Sequence, residues 1–99
     1  MAKTLPPIHP GEIIKEEILV PLSLSVQQLA EALAINAPRL NDIVRGRRGI
    51  SADTALRLAR FLGTSAEFWM NLQTSYELRV ARDASQKQIE RDVKRNTAA

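Results

Sequence analysis

Ninety-nine residues fit one domain and one hydrophobic core, since a domain takes about 100 to 200 residues. The chain is 44% hydrophobic but only 4% aromatic, with 25% charged residues and no cysteine. That excludes disulfides, thiolate metal sites and cysteine nucleophiles, suits a reducing cytoplasm, and points to helices packed through Leu, Ile, Val and Ala. The net charge is a modest +3, no apolar run approaches the ~18 residues of a membrane span, and the N-terminus lacks a signal-peptide layout, so a soluble protein without membrane partners is expected.

In chain order, residues 1–9 hold Pro6 and Pro7 without periodicity and read as an extended arm. Pro10 suits a first helical turn, and a first helix is expected from about Pro10 to Val20, with Glu12 near its positive end and Ile14 and Ile18 on one face. Pro21 ends or bends it. Ser25 is a good N-cap, followed by Val26, Leu29, Ala30 and Leu33 at the spacing of an amphipathic helix. Ala34-Ile35-Asn36 breaks the pattern. Asn36 can cap a third helix in which Pro38 falls in the first turn, Leu40, Ile43 and Val44 point one way, and Pro38, Asn41, Asp42 and Arg45 point the other.

Gly46 sits where a left-handed residue would stop that helix, leaving Arg47-Arg48-Gly49 as a basic loop. Ser51 caps a fourth helix carrying Ala55, Leu58, Ala59 and Leu62 inward, with Asp53, Arg57 and Arg60 opposite, and Gly63 closes it. Ser65 opens a fifth, with Glu67 in its first turn and Phe68, Trp69, Leu72, Tyr76 and Val80 on one side. Beyond Arg82 the apolar density falls, and residues 83–99 are expected to fray from a charged helix into a disordered tail. The expected organisation is an all-α, five-helix bundle over residues 10–82, with an arm before it and a charged C-terminal extension after it, helical or disordered.

Two short helices joined by a three-residue turn, the second capped and polar outward, have helix-turn-helix geometry over residues 25–45. Charge supports DNA as the partner. Residues 1–35 set Lys3 and Lys15 against four glutamates, whereas residues 36–60 set six arginines against Asp42 and Asp53. Arginine's planar fork suits phosphates and guanine edges. Arg39, Asn41 and Arg45 are the candidates for base edges, and Arg47 and Arg48 for phosphates, with Ser25, Asn36 and the helix N-termini as further phosphate contacts. A solvated face of an ordinary bundle has equal standing on pattern alone.

The segments Ile8-His9-Pro10-Gly11-Glu12-Ile13, Leu29-Ala30 with Leu33, Arg45 to Ala59, Leu62-Gly63-Thr64-Ser65 and Glu67-Phe68-Trp69-Met70-Asn71-Leu72-Gln73 together resemble the HigA-type antitoxins. These are a branch of the Xre/Cro-like helix-turn-helix proteins, related to virulence-associated protein I and lambda-repressor-like in fold. The resemblance covers residues 8–82. It implies an antitoxin of a type II toxin–antitoxin pair: a homodimer that binds a palindromic operator in its own promoter and silences a HigB-like toxin, a ribosome-dependent mRNA endonuclease. The family's recognition helix matches Ala37 to Val44, which puts Ala37, Pro38, Asn41 and Asp42 at its outward positions. Ala37 and Pro38 offer no side-chain donor, so base reading would rest on Arg39, Asn41 and Arg45, with apolar contact to a thymine methyl. Two glycines common in the family are replaced by Ser23 and Ala34. If the backbone keeps a positive φ there, each costs about 1 to 2 kcal/mol.

The remaining conspicuous residues point away from chemistry. His9, the only histidine, lacks the partners of a metal site and reads as structural or capping. Phe68, Trp69, Leu72 and Tyr76 have the spacing of core, with a dimer interface as the alternative. No nucleophile motif, phosphate loop or paired-carboxylate arrangement stands out, so neither enzyme activity nor a cofactor is expected. Glu12, Glu16 and Glu17 read as a solvated helix face, with a basic toxin as a weaker alternative. Two rivals to the repressor-antitoxin reading stay open: an antitoxin that neutralises its partner with little DNA binding of its own, and a stand-alone Xre-type regulator.

Overall fold

The computed structural model describes residues 6–96; residues 1–5 of the expected arm and 97–99 of the expected tail lie outside them. Helix α1 (Pro10–Ile14) runs directly into a π-helical segment (Lys15–Leu19), followed by α2 (Val26–Leu33), α3 (Ala37–Val44), α4 (Ala52–Leu62) and α5 (Ala66–Asp92). No strand occurs among the described residues. No helix there is long and apolar enough to cross a membrane.

The helix starts are set by local side-chain chemistry. Ser25, Asn36, Ser51 and Ser65 each stand in extended conformation and accept a hydrogen bond from the backbone N–H three residues on, satisfying a donor that the first turn leaves unpaired. At Ser25 the cap is reciprocal, Ser25 N donating to Gln28 Oε1 at 2.9 Å and Gln28 N to Ser25 Oγ at 3.0 Å. His9 caps α1 over a shorter span, its Nδ1 accepting from Gly11 N, two residues on, at 2.9 Å. Burial pushes the His9 imidazole pKa down, opposed in part by Glu12, which keeps Nδ1 an acceptor. The histidine is a cap, as expected.

The core is aliphatic. Ile14, Leu29, Leu40, Ile43, Ala55 and Leu58 are wholly buried, and Ile18, Leu33, Ile50 and Trp69 nearly so. The first helix ends in an unexpected way. Val20 N donates to Lys15 O at 3.0 Å, five residues back, and this wider turn lets Ile18 and Leu19 both face inward beside Ile14. Gly11 makes the closest approach of the four glycines: a Cβ there would stand 1.9 Å from the Ile43 carbonyl oxygen. The backbone of α1 therefore lies against the backbone of α3, which is seated on it.

Both positions where the resemblance flags a missing glycine have positive φ, Ser23 at 54° and Ala34 at 58°. Ala34 is the C-cap of α2, and its side chain is exposed, so glycine there relieves strain without removing packing. Ala34→Gly is expected to raise stability by about 1 kcal/mol. Ala32→Gly, exposed inside the same helix, should lower it by about as much. Urea titrations of the two variants check the pair; equal signs would mean that Ala34 carries no backbone strain.

Of the two states open for the charged extension, helix and disordered tail, the helix holds through most of it: α5 continues past Arg82 to Asp92, with Val93 as its C-cap. Side chains one turn apart support its outer half: Arg79 Nε to Asp83 at 3.2 Å, Gln86 Nε2 to Glu90 at 2.9 Å and Gln88 Nε2 to Asp92 at 3.4 Å. The chain holds no glycine or proline after Gly63 to stop it. The radius of gyration is 16.9 Å, against about 13 Å for a compact chain of 100 residues, because this helix projects from the bundle.

Candidate nucleic-acid interface

Helices α2 and α3 form the expected helix-turn-helix. Leu40 and Ile43 anchor α3 in the core, with Ala37 and Val44 partly packed beside them. The outer side presents Pro38, Asn41, Asp42 and Arg45, of which Pro38 and Arg45 are exposed and Asn41 and Asp42 half-buried. Asn36 spends its Oδ1 on the cap, at 2.8 Å from Arg39 N.

Arg45, Arg47 and Arg48 gather at the exit of α3, all exposed. The loop that carries them is folded back on the helix: Asp42 O accepts Arg47 N at 2.8 Å and Arg48 N at 3.2 Å, and Gly46 takes a φ of 78°. Arg47 pairs loosely with Asp42 at 3.9 Å, an exposed contact that holds little energy. Arg45 and Arg48 make no side-chain hydrogen bond or ion pair among the described residues. Three guanidinium groups thus stand beside the outer face of a helix that fits a major groove about 12 Å wide.

Arg39 is placed differently from the outward donor pictured for base reading. Its Nη2 lies 2.6 Å from Thr54 Oγ1, 3.2 Å from Asp53 Oδ2 and 3.3 Å from Ser51 Oγ, so its guanidinium is turned along α3 onto the start of α4, only 26% exposed. Of the four aromatic-face residues, Trp69 is 2% exposed and belongs to the core of a single chain, which removes it from any dimer contact. Tyr76 stacks edge-on against His9 with ring centroids 4.8 Å apart, Leu72 is half-buried, and Phe68 is 46% exposed.

Two residues matter here that the sequence reading passed over. Gln73 is buried; its Oε1 accepts Ile50 N at 2.7 Å and its Nε2 donates to Glu77 Oε2 at 2.6 Å. Its side chain lies against Gly49, where a Cβ would come within 2.7 Å of Nε2, so α5 moors the basic loop. The signal was present, since Gln73 closes the motif that begins at Glu67. Arg57, assigned to a solvated face, instead donates through Nη1 to the carbonyls of Leu33 and Ala34, both at 3.0 Å, and through Nε to Asp53 at 2.8 Å. The Arg57 and Arg39 guanidiniums beside Asp53 hold its carboxyl below the usual carboxylate range.

Comparison with known proteins agrees with this geometry. A helix-turn-helix family model matches residues 14–69. Virulence-associated protein I of Dichelobacter nodosus is 52% identical over 82 residues, which are 83% of this chain and 76% of the relative. The solved structure of Pseudomonas aeruginosa antitoxin HigA with the higBA promoter superposes with a TM-score of 0.86 at 55% identity, covering 89% of this chain and 96% of that one. Antitoxin GraA in complex with its operator superposes with a TM-score of 0.88 at 44% identity over 99% of both chains.

Proposed function

The chain belongs to the helix-turn-helix family and, within it, to the HigA antitoxins, and from that membership we propose that it represses its own operon and neutralises a HigB-like mRNA endonuclease. One observation carries the DNA half of this reading: an eight-residue helix, seated by its apolar face, presents a polar outer side flanked by Arg45, Arg47 and Arg48. In this reading Asn41 and Arg45 read base edges, Pro38 and Ala37 meet thymine methyls, and Arg47 and Arg48 hold phosphates, with the N-terminal turns of α2 and α3. The similar chains solved with promoter or operator DNA support it. A homodimer on a palindrome, working in the cytoplasm, puts half-sites about 10 to 10.5 bp apart or at a multiple of that spacing. The toxin half is supported by the family alone.

Fluorescence anisotropy of the purified chain against its own upstream DNA and a scrambled duplex, at two salt concentrations, tests the DNA half. Preference for the native duplex, weakening steeply as salt rises, is the expected result. Equal affinity for the two duplexes would favour the second reading, an antitoxin that neutralises first and binds DNA weakly alone. That reading is favoured by Ala37 and Pro38, which lack side-chain donors, and by Arg39, whose guanidinium is already engaged. Gel filtration with the product of the adjacent gene separates both from a stand-alone regulator, since only an antitoxin forms a stable complex.

A further inference from the structure

We propose that Asp53 and Arg57 of α4 are positioning residues that set the angle of the recognition helix for sequence-specific DNA binding. The inference rests on the DNA half of the function proposed above.

The carboxylate of Asp53 receives two arginines, Arg57 from its own helix and Arg39 from α3. Arg57 Nε reaches Asp53 Oδ2 at 2.8 Å, and the same guanidinium, through Nη1, holds the carbonyls of Leu33 and Ala34 at 3.0 Å each. Those are the last residue of α2 and its left-handed cap. Arg39 Nη2, from α3, reaches the same Oδ2 at 3.2 Å, with Thr54 Oγ1 at 2.6 Å beside it. One oxygen atom therefore joins the end of the bracing helix to the recognition helix.

The joint is suited to orientation more than to stability. Asp53 and Arg57 side chains are 56% and 38% exposed, and exposed pairs contribute little to folding. Two short helices meeting through a three-residue turn need such fixing, because a rotation of α3 by a few degrees moves Arg45, at its far end, away from a base edge. Neither residue lies on the outer face of α3, so neither needs to touch DNA. The fork is specific to arginine: a lysine ammonium at position 57 is a point donor on a flexible stem and cannot hold two carbonyls and a carboxylate in one plane.

Arg57→Lys keeps the net charge and loses the fork; Asp53→Asn keeps the shape and loses the charge. Each variant is titrated with the chain's own upstream duplex and a scrambled duplex at two salt concentrations, and its fold is checked by thermal melting. The native-to-scrambled affinity ratio is expected to fall at least about fivefold, with scrambled affinity within about twofold and the salt slope unchanged. Adding Ala34→Gly to Arg57→Lys should restore part of the ratio, because glycine takes the left-handed turn without the tether. An unchanged ratio in folded variants overturns the proposal. A salt slope smaller by about 1 does too, since it marks a direct phosphate contact. Amide spectra of Arg57→Lys give an arm independent of DNA: shifts spread through residues 36–45 are expected, and shifts confined to α4 overturn the positioning role. Should the wild-type chain show no preference for its upstream duplex, the function reading fails by itself, and the amide spectra still decide whether the joint orients α3.

Discussion

Gly11→Ala is expected to destabilise the protein by about 3 kcal/mol, although alanine is the better helix former and propensity alone would predict a gain of about 1 kcal/mol. The reason is steric. The added Cβ would stand 1.9 Å from the Ile43 carbonyl oxygen, 2.8 Å from its carbon and 2.9 Å from Val44 Cα. All three are backbone atoms of α3, so no side chain can rotate aside and α1 must lift. Lifting it opens the core around Ile14 and Ile43, both wholly buried. Gly63→Ala is the control: its φ of 72° strains alanine, yet nothing lies within 4 Å of the new Cβ, and about 1 kcal/mol should be lost. At about 4 to 8 °C per kcal/mol for a chain of this size, the midpoint of Gly11→Ala should fall by roughly 15 °C and that of Gly63→Ala by a third as much. Equal losses would show that conformation, not the α1–α3 approach, governs both sites.

What could be read along the chain was what is encoded within a few residues. The caps at Ser25, Asn36, Ser51 and Ser65 each act on the residue three positions on, a spacing visible without any fold. The stops at Gly46 and Gly63, both left-handed, are equally local. The strain at Ser23 and Ala34 is not, because neither serine nor alanine asks for positive φ; only the likeness to a family with glycine there pointed to it. The π-helical turn was hidden because Ile14 and Ile18 suit an α-helix equally well, and only the inward turn of Leu19 distinguishes the two.

How far α5 runs stayed open for a different reason. Falling apolar density reports lost burial, and helices without breakers outlast burial when their side chains pair one turn apart. Arg39 and Arg57 were the hardest to place, since a long charged side chain on a helix is by default solvated. Their partners lie 14 and 24 residues away in the chain, at Asp53 and Leu33 respectively, and no local spacing reveals such a contact. The candidate DNA face was therefore legible as a set of residues, whereas the division between those that face outward and those that hold the helix in place required the fold.

That division makes the second large effect specific. Replacing Arg45, Arg47 and Arg48 together by alanine should weaken binding to the upstream duplex by about a hundredfold or more at moderate salt, and flatten the salt dependence by about 1 for each arginine that holds a phosphate, counted twice in a dimer. The fold should be unaffected, because all three side chains are exposed and the one ion pair among them, Arg47 with Asp42 at 3.9 Å, is a loose surface contact. The single variants separate the roles. Arg47→Ala and Arg48→Ala should weaken native and scrambled duplexes alike, with a smaller salt slope, whereas Arg45→Ala should lose about 1 to 3 kcal/mol on the native duplex alone if it reads a guanine edge. A triple variant that folds normally and binds the upstream duplex as tightly as the parent would falsify the assignment of this face. Because the triple variant tests charge and Arg57→Lys tests orientation at constant charge, the two experiments attack the same interface through different physics: one should lose affinity for every sequence, the other only the preference for one.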